Sequence, residues 1–159
     1  MIRKVLTIGD KALRGKCHAI TKFDKIRLPL ILRDMADTMY DKEGIGLAAP
    51  QIGIKRRIIV VDVEQKGAEP IEFINPEIIF EEGECDMVEA CLSVPGRSGH
   101  VTRAEKIKVR AQDRTGEFFE VEAEGLYARC IQHEIDHLDG ILYVDKMTEE
   151  VFADEEDEP

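Results

Sequence analysis

The chain has 159 residues, a formal net charge of −11 and 43% hydrophobic residues, which suit a single globular domain. It contains no apolar run as long as a membrane-spanning helix, and residues 1–5 lack the apolar core of a signal peptide, so we expect neither a membrane segment nor secretion. The four cysteines form no C-x-x-C pair, which disfavours a zinc ribbon or a thioredoxin-like redox centre.

The first half of the chain predicts one amphipathic helix followed by short strands. Residues 28–41 place apolar side chains at helical spacing, and Pro29 falls in the first turn, where its missing N–H does no harm. Strands are then predicted at residues 57–62, 72–74, 78–80, 106–111 and 117–123. Residues 113–116 predict a hairpin connection, and Pro95 with Gly96 predicts a turn.

A second helix is predicted around the sequence Q-H-E-I-D-H at residues 132–137. Its H-E-x-x-H pattern places His133 and His137 on one helical face, one turn apart, where both imidazoles can bind the same metal ion. Glu134 can face the ion without ligating it, so it can take a proton from water held there. Patterns of this length also arise by chance in buried helices, so support from other segments is needed.

A catalytic site with two histidines needs a third protein ligand. In the longer pattern H-E-x-x-H-x-x-G-x-x-H this ligand is a downstream histidine, but this chain has Tyr143 at that position and no histidine after His137. We therefore expect an upstream cysteine as the third donor. Cys91, which ends an apolar stretch, is favoured, and because free cysteines are often merely buried, the alternatives are Cys17, Cys85 and Cys130.

One helix, several short strands and a metal-binding helix predict an α+β fold, with antiparallel β-sheets wrapped around the central H-E-x-x-H helix and an N-terminal amphipathic helix. Residues 1–147 are predicted to form one catalytic domain, and residues 148–159 an acidic C-terminal tail. Seven acidic residues and no basic residue follow Thr148, so residues 1–148 carry only the remaining −4. We expect the tail to be a short helix that frays into disorder and repels RNA.

Three separated segments resemble the signature motifs of the peptide deformylases. Residues 44–51 (G-I-G-L-A-A-P-Q) resemble G-x-G-L-A-A-x-Q, residues 89–93 (E-A-C-L-S) resemble E-G-C-L-S, and residues 132–137 resemble Q-H-E-x-D-H. The motifs stand in the family's order, and the similarity extends from about Ile2 to Lys146. Ala90 stands where the family has glycine, a residue that often permits positive φ or close approach of a substrate.

The resemblance implies a metal-dependent hydrolase that removes the formyl group from the N-terminal formyl-methionine of nascent proteins and releases formate. It implies that Glu134 is the general base and that the Gln51 amide and the Leu92 backbone N–H stabilise the oxyanion. One divalent ion per chain is expected, with Fe²⁺ favoured and Zn²⁺, Ni²⁺ or Co²⁺ as alternatives. The implied metal ligands are Cys91, His133 and His137.

The resemblance also implies an apolar pocket for the methionine side chain. Glu89 and Arg103 are expected either to orient the metal ligands or to form a surface ion pair. Free cysteines and a metal-bound thiolate suit the reducing cytoplasm, and we expect a monomer without nucleic-acid or membrane partners. The residues expected at the substrate are Ile45, Gly46, Ala90, Arg97, Leu126 and Cys130, with Ile131 also in the pocket wall.

Ala90 leaves one alternative open, a deformylase-like metallohydrolase with weak activity or altered N-acyl specificity. A metal-stabilised binding module is disfavoured, because it would need four closing ligands and has no use for Glu134 or Gln51. A general endopeptidase is disfavoured because no segment suggests a long cleft.

Overall fold

The computed structural model describes residues 1–65 and 69–152, and all strand pairs in it are antiparallel. The order of strands is β1-β2-β3-β6-β7 in one sheet and β4-β5-β8 in the other, so the predicted α+β class with antiparallel sheets is confirmed. The elements are α1 (Arg27–Asp41), β1 (Gly46–Ala48), β2 (Ile58–Val61), β3 (Ile71–Glu82), β4 (Cys85–Cys91), β5 (Val94–Arg103), β6 (Lys106–Gln112), β7 (Phe118–Glu124), α2 (Gly125–Leu138), α3 (Tyr143–Lys146) and β8 (Glu149–Val151), with short 3-10 helices at Lys11–Leu13 and Ala49–Ile52.

Strand β2 indicates how the larger sheet is covered. All four of its residues are buried. Ile59 and Val61 pack in the apolar cluster around α2, whereas Ile58 and Val60 pack in the cluster around α1, as the two-residue period of a strand requires. The two helices therefore cover opposite faces of this sheet, and β2 is a continuous apolar run because neither of its faces meets water.

Helix α1 begins one residue before the segment predicted from its apolar spacing. The Asp24 carboxylate accepts hydrogen bonds from the backbone N–H groups of Ile26 and Arg27, both at 2.8 Å, so two donors at the start of the helix are satisfied. The apolar face of α1 is buried through Leu28, Leu32, Met35 and Met39.

Helix α2 lies against β1, β2, β6 and β7, and most of its residues are buried. The backbone oxygen of Leu138 in its last turn accepts from the Cys17 backbone N–H at 2.8 Å and from Arg57 Nη1 at 3.1 Å, so the helix end is satisfied by distant parts of the chain. Within the described ranges, no helix is both long and apolar enough to cross a membrane.

Strand β3 joins the two strands predicted at residues 72–74 and 78–80 into one. The ladder between β3 and β6 shifts register after Ile74, where Asn75 adopts a positive φ of 52° and Pro76 offers no N–H. The Asn75 side chain bonds the backbone of Ile20 and the side chain of Gln112, all at 2.8 Å. The irregularity is therefore a bulge held by tertiary contacts.

The turn predicted at Pro95 and Gly96 is wrong, because both residues lie in strand β5. Strands β4 and β5 instead turn at residues 92–93, between the paired residues Cys91 and Val94. The next pair is Glu89 with Gly99, so residues 95–98 of β5 stand opposite Ala90 alone, and Gly96 has a φ of +77°. The Pro95-Gly96 dipeptide thus marks a four-residue bulge in the second strand of this hairpin.

The short helix predicted after Thr148 is also wrong. Glu149–Val151 form β8, which pairs with residues 98–100 of β5. The remaining tail residues, 153–159, lie outside the described residues.

Gly140 lies just after α2, where the chain packs closely against the backbone of Gly15. Its φ is +76°, and a Cβ atom there would lie 2.4 Å from the Gly15 backbone nitrogen. Gly9 also has a positive φ, of +104°, but nothing lies within 4 Å of its Cβ position. We expect Gly9→Ala to cost about 1–2 kcal/mol of unfolding free energy in backbone strain alone. Gly140→Ala should cost about 1–3 kcal/mol more because the backbones must separate. Urea unfolding of both variants measures the difference, and equal losses would contradict the close contact.

Candidate active site

Three metal-ligating side chains from two elements meet beside helix α2. Cys91 is the last residue of β4, and His133 and His137 lie one helical turn apart on α2. One ligand atom from each lies within 4.8 Å of the other two. Cys91 Sγ is 3.4 Å from His137 Nε2. Helical spacing unites the histidines, whereas the tertiary fold brings Cys91 to them.

The donor set fits a divalent ion such as Zn²⁺ or Fe²⁺. Ligand bonds of 2.0–2.3 Å in a tetrahedral site separate ligand atoms by roughly 3.3–3.8 Å, close to the spacing of this group. Burial lowers the pKa of His137 well below its ordinary value, so its imidazole is neutral at pH 7 and can donate a lone pair. A closed structural site would need four ligands, and the group found in residues 1–65 and 69–152 has three.

The His133 ring is oriented by Glu89. His133 Nδ1 donates to Glu89 Oε1 at 2.7 Å, which leaves Nε2 for the metal site. The same carboxylate accepts from Arg103 Nη2 at 2.9 Å and from Arg129 Nη1 at 2.5 Å. Glu89, Arg103 and Arg129 are all buried, so the surface ion pair considered for Glu89 and Arg103 is wrong. The pair orients a candidate metal ligand instead.

The charge of Glu89 is stabilised by its partners. Burial acts to raise the pKa of Glu89, but hydrogen bonds from His133 and Arg103 outweigh it and lower the pKa to about 2. Arg103 Nη1 also donates to Asp136 at 2.8 Å. The carboxylate is therefore ionised at neutral pH and accepts all of these hydrogen bonds.

Glu134 has the opposite environment. Burial raises its pKa to about 7, with His133 opposing the shift and Glu89 adding to it. Its Oε1 has no hydrogen-bond partner among the described residues and lies 4.0 Å from His137 Nε2. A Cβ atom on Gly46 would lie 2.8 Å from Glu134 Oε2, so glycine in β1 makes room for this carboxylate. A carboxylate with a pKa near neutrality beside a metal site can exchange protons with water.

Gln51 presents its amide to the same site. Its Oε1 accepts from the Ala48 backbone N–H at 3.0 Å, which fixes the amide orientation. Its Nε2 donates to Ser93 Oγ at 3.1 Å and lies 3.7 Å from Cys91 Sγ. The 3-10 helix Ala49–Ile52 and the turn at residues 92–93 therefore hold an uncharged donor beside Cys91 Sγ.

A cavity of about 380 Å³ opens at this cluster. The structure places all six predicted substrate-contacting residues in its wall, together with Gln51, Cys91, Leu92, His133 and Glu134. Ile131, also expected there, packs in the core instead, because it lies on the side of α2 that faces the sheet. The wall residues that the sequence did not predict include Glu43, Met87, Val88, Val94 and Arg129. Met87 and Val88 could have been predicted from the sequence, because they are apolar residues directly before the E-A-C-L-S motif.

Ala90 needs no special backbone conformation. It lies in the irregular part of the β4–β5 ladder, its side chain is exposed, and its φ is not positive. An L-alanine side chain is therefore accommodated without backbone strain.

Tyr143 occupies the position of the third histidine in the longer metal-binding pattern, and it packs against the site. Its ring is stacked on His133, with centroids 6.1 Å apart and planes inclined by 22°. Together with Glu89, which bonds the ring nitrogen Nδ1, Tyr143 restricts how the His133 ring can turn.

Three side chains able to ligate one metal ion, without a fourth in the same group of described residues, and a buried carboxylate beside them are typical of a hydrolytic metal centre. A sequence profile of the polypeptide deformylase family matches residues 2–152. The chain belongs to this family, and the resemblance found in its three motifs is confirmed.

Individual relatives agree with the family profile. The chain is 52% identical to a peptide deformylase of Caldicellulosiruptor bescii, over 97% of this chain and 90% of that protein. It is 49% identical to one of Lachnoclostridium phytofermentans, over 98% of each. A crystal structure of a peptide deformylase from Legionella pneumophila superposes with a TM-score of 0.90 at 48% identity, covering 93% of this chain and 87% of the other. The structure from Thermotoga maritima has a TM-score of 0.88 at 40% identity, covering 93% and 99%.

Glu89→Gln tests the buried network. We expect a loss of about 3–5 kcal/mol in unfolding free energy, because the buried Arg129 loses its carboxylate partner and the buried Arg103 keeps only Asp136. The affinity for the metal ion should also fall about 10–100-fold, because His133 loses the carboxylate that orients its ring. Urea unfolding and transfer of bound Zn²⁺ to a chelator measure the two effects. The exposed Glu84→Gln is the charge-matched control, and a Glu89→Gln protein indistinguishable from it would contradict the orienting role.

Proposed function

We infer that this chain removes the formyl group from formylated nascent peptides and releases formate, and we propose that its active centre is the cluster beside α2. The proposed metal ligands are Cys91, His133 and His137, whose ligand atoms lie within 4.8 Å of one another. The observation that carries the assignment is Glu134, a buried carboxylate with an unpartnered oxygen next to these three donors. A purely structural metal site has no need for such a group.

When bound, a divalent ion supplies Lewis acidity that lowers the pKa of water and polarises the formyl oxygen. Glu134 accepts a proton from the water molecule while the oxygen of that water molecule attacks the formyl carbon. The oxyanion of the tetrahedral intermediate then accepts hydrogen bonds from Gln51 Nε2 and the Leu92 backbone N–H. Glu134 returns the proton to the departing amine as the C–N bond breaks, which yields formate and a free methionine amine.

The peptide lies between two open strand edges. Strand β1 is an edge of the larger sheet and β4 an edge of the smaller one, and residues of both line the cavity. An extended peptide can pair its backbone with such edges, which positions it without reading its side chains. This mode suits an enzyme that acts on many different proteins. In this arrangement Ile45 and Gly46 lie on one side of the peptide and Ala90 on the other.

The methionine side chain enters the apolar part of the cavity. Leu126 and Cys130 lie one turn apart on α2 and line it, with Ile45 opposite. The Cys130 thiol is held by the Ile45 backbone oxygen at 3.6 Å, and burial raises the pKa of this thiol well above its ordinary value. Cys130 is thus a neutral wall residue rather than a competing metal ligand. An unbranched, polarisable side chain suits a narrow apolar cavity of this kind.

We propose Fe²⁺ as the native ion, with Zn²⁺, Ni²⁺ and Co²⁺ able to occupy the same thiolate and imidazole ligands. We also propose that the chain acts as a cytoplasmic monomer and binds neither nucleic acid nor membrane. The larger sheet would wrap around α2 as the frame of the catalytic domain.

Glu134→Ala tests the general base. We expect formate release from formyl-Met-Ala-Ser to fall about 10²–10⁴-fold while metal content stays unchanged, because the carboxylate transfers protons and is not a ligand. The assay uses anaerobically purified protein reconstituted with Fe²⁺ or Ni²⁺, and elemental analysis gives metal content. The exposed Glu122→Ala is the control. A variant that loses its metal, or keeps its rate, would contradict the role of Glu134.

Ala90→Gly tests whether alanine weakens the enzyme. Since Ala90 does not have a positive φ and its side chain is exposed in the cavity wall, glycine relieves no backbone strain there, and we expect kcat/KM to change by about twofold or less. A tenfold gain in the glycine variant would instead support the reading of weak or altered N-acyl specificity.

A further inference from the structure

An arginine in the cavity wall is held by the last strand of the described chain. Arg97 lies in the bulge of β5 and lines the cavity. Glu150 lies in β8, opposite Gly99. Arg97 Nε donates to one carboxylate oxygen of Glu150 at 3.0 Å and Nη2 donates to the other at 2.9 Å. The pair is bidentate, the geometry that most restricts a guanidinium.

The backbone of β8 fixes the position of Glu150. A Cβ atom on Gly99 would lie 2.0 Å from Met147 Sδ and 2.9 Å from the Glu149 backbone oxygen, so the chain entering β8 is packed directly onto β5. The Thr148 backbone N–H also donates to the His100 backbone oxygen at 2.9 Å. Glu150 is therefore anchored by its own strand, whereas Arg97 extends from an irregular segment. In this pair the glutamate positions the arginine.

The pairing determines what the cavity wall presents to a peptide. Glu150 occupies the edge of the guanidinium formed by Nε and Nη2. No described residue accepts a hydrogen bond from Nη1. The Arg97 side chain is 41% exposed and that of Glu150 23%, so the pair is partly accessible to solvent, and Arg97 lines the cavity. The pair presents a free N–H donor with no net charge, where an unpaired arginine would present a cation.

We propose that Glu150 is a specificity-determining residue of this enzyme and that β8 completes its substrate site. Glu150 holds Arg97 so that Nη1 remains available to a peptide carbonyl beyond the formyl-methionine, and its charge cancels the attraction of Arg97 for acidic downstream side chains. An enzyme that processes many nascent chains gains from this neutrality, because downstream residues of either charge are accepted alike. This inference rests on the deformylase function proposed above.

The test is a comparison of three C-terminally amidated substrates, formyl-Met-Ala-Ser, formyl-Met-Ala-Asp and formyl-Met-Ala-Lys. Amidation removes the terminal carboxylate, so only the third side chain differs in charge. We expect wild-type enzyme to give similar kcat/KM values for all three. In Glu150→Gln, the ratio of the aspartate to the lysine peptide should rise about fivefold or more, mainly through KM, because a partly exposed cation is uncovered at the peptide path.

Further measurements separate charge from structure. The shift should shrink at high salt, since it comes from exposed charges. Glu150→Asp keeps the charge and should therefore give the wild-type ratio of kcat/KM for the aspartate and lysine peptides. The double variant Arg97→Ala/Glu150→Gln should also give this ratio, because it lacks the uncovered cation. Glu149→Gln, which removes the same charge from the adjacent exposed residue of β8, should leave the ratio unchanged.

The results separate the role of Glu150 from the deformylase function on which it rests. If Glu150→Gln releases formate with unchanged selectivity, or if Glu149→Gln shifts selectivity equally, the role of Glu150 is overturned while the deformylase function stands. If metal-loaded wild-type enzyme releases formate from none of the three peptides, the deformylase function itself fails and the role of Glu150 fails with it.

Discussion

The buried carboxylate of Glu89 is the contact on which the arrangement around the candidate metal site depends. It accepts hydrogen bonds from Arg103 on β5 and from Arg129 and His133 on α2, and Arg129 also donates to backbone oxygens of Val101 and Cys85. These bonds connect the smaller sheet to the helix that packs on the larger one. Burying charges carries a large desolvation cost, so such a network contributes little net stability. Its value here is geometric, because a satisfied buried network admits few other arrangements.

Two glutamates near the candidate metal site have opposite pKa shifts because their surroundings differ. Glu89 is surrounded by donors and has a pKa of about 2, whereas Glu134 lacks a partner for one oxygen and has a pKa of about 7. Environments that separate the pKa values of neighbouring acids are typical of catalytic sites. The first carboxylate stays charged and orients a ligand, and the second can exchange a proton at neutral pH.

Each sheet supplies one wall of the substrate cavity. Gly46 lies on β1 at the edge of the larger sheet, where the absence of a side chain leaves space for Glu134. Strands β4 and β5 form the other wall; Cys91 borders the irregular stretch in their ladder, and Arg97 lies within it. The irregularity that breaks the pairing therefore lies next to a candidate metal ligand and contains a cavity arginine.

The sequence by itself determined the elements whose information is local. Helical spacing placed the apolar face of α1 and set His133 and His137 on one face, and the three motifs identified the family. The sequence also favoured Cys91 as the third ligand and left open whether Glu89 orients a ligand or forms a surface ion pair. Only the tertiary structure decided that Glu89 is a buried partner of His133, that residues 95–98 form a bulge rather than a turn, and that Glu149–Val151 form a strand. The physical reason is that each of these depends on contacts between residues far apart in the chain, which a local pattern of polarity does not encode. Pro95 and Gly96 specify an irregular backbone, but the strands packed around them decide which irregularity forms.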